Sequence, residues 1–184
     1  MKTKGYSLME RSVPHYNLAR EKLNSIGVQM GEKYGWGIGN KWSILLSQLW
    51  MVMALEGDSF EDKMVLDLGC GCTEQIGEEH SAIYGYDYEP WLCRTMNELG
   101  MGHLGIDIGG NAAERFNFHQ ADLRDPSVLD FIPDHSVDVA HAGQFFNSPY
   151  LIKHLGCHEN LREKLMPQLE RIVKPEGFFL FGRY

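Results

Sequence analysis

The chain has 184 residues, 43% hydrophobic and 23% charged, enough for one sizeable core and too few for two comfortable domains. A formal net charge of −8, with no cluster of Lys or Arg, argues against a protein that holds a nucleic-acid backbone by bulk electrostatics. Lys2 and Lys4 precede no apolar run, so the start does not read as a signal peptide, and the longest apolar stretch, 44–55, contains Ser47 and Gln48 and is too short to span a bilayer.

A cytoplasmic protein with no membrane contact is therefore expected. Its thiols (Cys70, Cys72, Cys93, Cys157) are expected to be reduced. Cys70 and Cys72 form a C-x-C pair without the C-x-x-C spacing of a zinc site, and no second pair follows, so no metal is expected.

Residues 1–13 are polar and read as loose. Pro14 suits the first turn of a helix, with Ser12 as its cap, Leu18, Leu23 and Ile26 on one face and Gly27 at its end. Residues 29–40 hold Gly31, Gly35, Gly37 and Gly39 around Tyr34 and Trp36. That composition reads as a loop, either a hinge whose aromatics cover the core or a lid over a substrate. Asn40 can cap a second helix to Leu55, with Trp42, Leu45, Leu46, Leu49, Trp50 and Met53 on its apolar stripe. Residues 1–60 thus read as a helical lid or platform, set against a unit over 61–184 to make one compact body.

That unit opens on M-V-L-D-L-G-C-G-C-T, residues 64–73. The apolar run reads as a buried parallel strand, and Gly69 and Gly71 as a tight turn whose backbone N–H groups can approach a ligand. Residues 83–88 read as a strand. Pro90 starts a helix with Trp91, Leu92, Met96 and Leu99 on one face, closed by Gly100. Further strands are expected over 102–108, 116–123, 137–142 and 178–181. Between them lie a short apolar turn at 128–131, a two-piece helix over 150–173 interrupted around Gly156 and Pro167, and a K-P-E-G turn at 174–177. Strands alternating with helices imply an α/β fold with a mostly parallel sheet, whose ligands bind at the C-terminal strand ends. Asp67, Asp107 and Asp122 fall in or at the end of such strands, and Asp138 near the start of another.

Four stretches in this order resemble the class I S-adenosylmethionine-dependent methyltransferases. V-L-D-L-G-C-G is similar to the family's first motif, A-D-L-R-D (121–125) to its third, S-V-D-V-A-H-A (136–142) to its fourth, and K-P-E-G-F-F-L-F (174–181) to the turn and strand that follow. The resemblance implies a Rossmann-like, doubly wound sheet with N-terminal helices added. It implies S-adenosylmethionine as cofactor and S-adenosylhomocysteine as product. Asp67, Gly69, Cys70 and Gly71 would meet the methionine part, and Asp122 and Leu123 the adenine. The ribose acid is Asp87 or Asp107. Asp107 is favoured because the helix from 89 to 99 and the strand after it look like the family's first helix and second strand, which leaves Asp122 and Asp138 on the third and fourth. That register requires an insertion over 72–88 and no helix between strands two and three.

His141, at the end of the fourth strand, is the candidate for cofactor contact and for a general base where the acceptor must lose a proton. Tyr34, Trp36, Gln144 and Phe145 would frame a small-molecule acceptor. The sequence departs from the family twice. Cys72-Thr73 stands where a third glycine is usual, and Tyr184 leaves no room for a last antiparallel strand pair, so a homodimer covering the sheet edge is an expectation. These departures motivate an alternative, a cofactor-binding partner or regulator without catalysis. A dinucleotide-dependent oxidoreductase is disfavoured, since Glu74 stands where G-x-G-x-x-G needs glycine.

Overall fold

Five short apolar runs pair side by side into a single sheet. In this computed structural model the described residues are 5–34, 48–49, 62–74, 89–143, 145–147 and 158–181. The expected strand at 83–88 and nearly all of the second expected helix lie outside them, as do Trp36, Asp87 and Gln144. The strands are β1 (Met64–Leu68), β2 (Gly102–Asp107), β3 (Phe118–Gln120), β4 (Val137–Ala142) and β5 (Val173–Phe181), in the order β3-β2-β1-β4-β5. Every pairing is parallel, so the chain is an α/β protein with an all-parallel five-stranded sheet among the described residues. The strand order reverses between β1 and β4, which creates a crevice at the C-terminal ends of those two strands.

Both faces of the sheet are covered. On one side α1 (Gly5–Tyr34) and α2 (Trp91–Glu98) share a core with Val65, Val139 and Leu180. On the other, α3 (His158–Ile172) and a 3₁₀ turn (Pro126–Leu129) pack on Leu66, Leu68, Ile106, Ala140 and Ala142. Successive side chains of a strand point to opposite faces, and this divides β1 between the two cores. Among the described residues no helix is long and apolar enough to cross a membrane.

Three expected element boundaries are corrected. α1 begins before Pro14 and runs through Gly27 to Tyr34, so the expected loop from residue 29 starts no earlier than residue 35. The reason is a buried stripe, Ala19, Leu23, Ile26 and Met30, that continues past Gly27. Packing of that stripe outweighs the roughly 1 kcal/mol that glycine costs inside a helix. Pro167 likewise sits inside α3 without ending it. It is exposed, opposite the buried stripe of Leu161, Leu165, Leu169 and Ile172, where a missing N–H and a slight bend disturb no packing. β3 is only three residues long, Phe118–Gln120, and Phe116 and Leu123, expected at its ends, lie outside it in the cores on opposite faces.

α2 follows its sequence signals closely. Pro90 is its N-cap, and Gly100, at φ +68°, provides the left-handed exit, with Met101 N–H donating to Met96 O at 2.9 Å. The K-P-E-G residues loop out of the β4–β5 ladder, as Val137 pairs with Val173 but Val139 with Phe178.

Candidate functional site

β1 leads straight into the glycine turn. Gly69 (φ +66°) and Gly71 (φ +93°) both adopt the left-handed conformation that glycine accepts without strain. Gly69 and Cys70 donate their N–H groups to Ile106 O at 2.8 and 3.2 Å, which pins the turn across the end of β2. A Cβ on Gly69 would stand 2.3 Å from Phe145 Cδ2, so the Phe145 ring lies directly on the turn. Phe145 opens the short 3₁₀ segment after β4 (Phe145–Asn147), and the rings of Phe146 and Phe181 continue behind it at centroid separations of 5.1 and 5.2 Å.

Asp107 closes β2 beside this turn. Its Oδ2 accepts the Gly71 N–H at 2.9 Å and its Oδ1 the Gly109 N–H at 3.0 Å, so one carboxylate braces two glycine segments. Burial pushes its carboxyl above the usual range, opposed by the bonds from Gly109 and Gly71. Each carboxylate oxygen retains a second lone pair beyond the bond described, so the group can accept further donors.

The exit of the turn is locked from the same side. Asn111, only 4% exposed, donates Nδ2–H to Gly71 O at 3.0 Å and accepts the Thr73 N–H at 2.9 Å. Glu74 N–H donates to Gly110 O at 2.9 Å, and Glu74 Oε1 accepts from Ala112 N at 3.1 Å. Gly109 and Gly110 make this crossing possible, since a Cβ there would meet Cys72 Sγ at 2.3 Å and Glu74 Oε2 at 2.2 Å respectively. The Cys72 thiol is pushed up to about 12, first by burial and then by the charge of Asp107, so it is not a nucleophile at neutral pH.

Beneath the turn, in the crevice between β1 and β4, Asp67 and His141 are register partners. His141 Nδ1 donates to Asp67 Oδ1 at 2.7 Å, and Cys93 Sγ on α2 lies 3.7 Å from Asp67 Oδ2. Both are buried, at 4% and 1% exposure, and the His141 ring lies against Gly143 with Gln48 beside it. An aspartate in this position fixes the orientation and tautomer of the imidazole.

The structure thus brings Asp67, Gly69, Cys70, Gly71, Asp107, His141 and Phe145 together at the C-terminal ends of β1, β2 and β4. Asp122 lies beyond the end of β3, half-buried, with its carboxylate paired to Arg124, which holds its pKa below the usual carboxylate range. Leu123 is packed in the core on the α3 side, with its side chain 4% exposed. Tyr34 is the last residue of α1. Among the described residues no cluster of three His, Cys, Asp or Glu side chains is arranged to hold a metal ion.

Sequence reasoning missed Asn111, Gly109 and Gly110, and it weighed Glu74 only as the residue that breaks G-x-G-x-x-G. The signal was the polar Asn directly after two glycines, in reach of the turn only once β2 is placed beside β1. Comparison with protein-family models, with curated proteins and with solved structures finds no match for this chain.

Proposed function

We propose that this chain is a Rossmann-like, S-adenosylmethionine-dependent methyltransferase acting on a small molecule. The observation that carries the reading is the meeting of the Gly69–Gly71 turn and the Asp107 carboxylate at the crevice where a parallel 3-2-1-4-5 sheet reverses its order. The residues present fit such a cofactor. Gly71 carries no side chain to hold a ligand away from the backbone, and Phe145 covers the side of Gly69 that its missing side chain leaves open. The Asp107 carboxylate, bonded once at each oxygen to backbone, keeps lone pairs for two ribose hydroxyls. When bound, the cofactor supplies a methyl group already activated on a sulfonium centre.

What remains for the protein is alignment and exclusion of water. Holding reactants in line is worth up to about 7–11 kcal/mol in favourable cases. Asp107 would hold the ribose, and the glycine turn would receive the methionine part. Phe145, resting on Gly69, would form an apolar wall beside the reacting centre. Asp67 orients His141, and His141 would take a proton only where the acceptor must release one.

A second reading, a cofactor-binding partner without catalysis, is favoured by one observation. The candidate base is 1% exposed and its ring is packed against Gly143, so it touches no acceptor in this arrangement.

Isothermal titration with S-adenosylmethionine tests both. The unmodified chain is expected to bind, and Asp107→Ala to weaken binding about tenfold or more, since a bond to a charged acceptor contributes about 1.5–3 kcal/mol. No binding at millimolar cofactor overturns both readings. Binding with no methyl transfer to any of a panel of hydroxyl, amine and thiol acceptors selects the second.

A further inference from the structure

The backbone amides of the glycine turn are nearly all engaged. Gly69 and Cys70 donate to Ile106 O, Gly71 to Asp107, Thr73 to Gly110 O and Asn111 Oδ1, and Glu74 to Gly110 O. In this run only the Cys72 N–H meets no acceptor among the described residues. Cys72 is half-buried and follows directly on the glycine that Asp107 grips.

The direction of that N–H is set by the other end of its peptide. Gly71 O accepts Asn111 Nδ2–H at 3.0 Å and the Cys70 thiol at 3.3 Å. Both donors are buried, at 4% and 7% exposure. The peptide is trans, so its C=O and N–H point in opposite directions. The carbonyl faces the buried donors, and the Cys72 N–H therefore faces away from them. Asn111 is itself fixed. Thr73 N–H, at 2.9 Å, requires an acceptor and Gly71 O requires a donor, which leaves one orientation of the side-chain amide.

We propose that Asn111 is a positioning residue of the cofactor site: it holds the Gly71–Cys72 peptide so that the Cys72 N–H donates to the carboxylate of the cofactor's methionine part. The inference rests on the reading of the turn as an S-adenosylmethionine site. The methionine part is the portion that reading gives to the turn, and its carboxylate is its anionic acceptor. A bond from a backbone N–H to a charged oxygen is about twice as strong as a neutral one. Asp107 and Asn111, four positions apart after β2, thus hold the two sides of Gly71, its N–H and its C=O.

S-adenosylhomocysteine and methylthioadenosine share the adenosine and a neutral thioether and differ in the amino-acid tail, so the pair isolates the carboxylate contact. Calorimetric titration of each into the full chain is expected to show S-adenosylhomocysteine binding about tenfold more tightly. In heteronuclear NMR the Cys72 amide signal is expected to move downfield with S-adenosylhomocysteine and not with methylthioadenosine. Asn111→Asp replaces one amide nitrogen by oxygen. It keeps an acceptor for Thr73 but sets a charged oxygen against Gly71 O, which turns that carbonyl and the N–H of the same rigid plane. The preference for S-adenosylhomocysteine is expected to fall about tenfold. A purely structural role would weaken both compounds alike, and that result overturns the proposal. So does a Cys72 signal that saturating S-adenosylhomocysteine leaves unmoved in the unmodified chain, a measurement that needs no variant. Equal affinity of the unmodified chain for the two compounds keeps the nucleoside site and overturns the proposal alone. Binding of neither at millimolar concentration overturns the reading of the turn and the proposal with it.

Discussion

Gly69→Ala is the substitution whose cost can be worked most fully from the geometry. At φ +66° an alanine pays for the left-handed backbone, about 1–2 kcal/mol for an L-residue. Its Cβ would also stand 2.3, 2.8 and 2.9 Å from Cδ2, Cγ and Cβ of Phe145. Because the Phe145 Cβ is itself too close, rotating the ring does not relieve the clash and the segment after β4 must move. Overpacking of this kind costs a further 1–3 kcal/mol or so. The total expected is about 2–5 kcal/mol. Gly100 supplies the control: its φ is +68°, nearly the same, and nothing lies within 4 Å of a Cβ there. Gly100→Ala should therefore cost the backbone part alone, about 1–2 kcal/mol. Urea unfolding followed by tryptophan fluorescence measures both, read at constant slope so that the midpoint reports stability. Phe145→Gly in the Gly69→Ala background removes the Cβ as well as the ring and should recover much of the difference, measured against Phe145→Gly alone. Equal losses for Gly69→Ala and Gly100→Ala would show that Phe145 does not rest on the turn in solution.

Two further predictions concern buried charge. Arg94 is 4% exposed and donates to Glu114 through Nε at 3.0 Å and Nη2 at 2.6 Å, and also to Glu89. Arg94→Ala leaves the buried Glu114 carboxylate uncompensated and should cost about 3–5 kcal/mol, whereas Arg94→Ala with Glu114→Gln should cost less; a double variant as unstable as the single one would refute the pairing. Burial also lowers the folded-state pKa of His103 from its ordinary value of 6.5. Between the folded value and 6.5 the unfolded chain binds more protons, so this residue's contribution to stability rises with pH through that window and is complete above it. Urea midpoints measured from about pH 5 to about pH 8 should show the slope, and His103→Gln should flatten it; an unchanged slope in the variant would assign the pH dependence elsewhere.

What the sequence disclosed follows from how local each signal is. β1, its glycine turn, α2 with Pro90 and Gly100, β2 and β4 are legible because cap, turn and apolar run lie within a few residues of one another. α1 was misread at Gly27 and α3 at Pro167, since both depend on a buried stripe longer than the local breaker. At the site, Asp107 is visible as an acid ending a strand, and its place beside Gly71 follows once β2 is set against β1. Its bonds to Gly71 and Gly109, and the grip of Asn111 on Gly71 and Thr73, join residues 36 to 40 positions apart for three of these four contacts. No periodicity or spacing rule reports contacts of that range.

The missing third glycine gains a physical explanation from those long-range contacts. Positive φ among the described non-glycine residues is confined to Asp62 and His135, so neither Cys72 nor Thr73 needs the left-handed conformation. Beyond the turn Glu74 pairs with Gly110, with the glycines placed on the β2 side of the crossing at 109 and 110. The close approach that a third glycine would provide in the turn is supplied by its partner segment. Cys72-Thr73 is thus compatible with the backbone path of the turn. The weight of the non-catalytic alternative shifts to His141, whose ring is held by Asp67 in the crevice between β1 and β4 and is enclosed there. A methyl acceptor with no proton to lose would need no base, so burial of His141 constrains the acceptor's chemistry before it constrains the existence of a reaction.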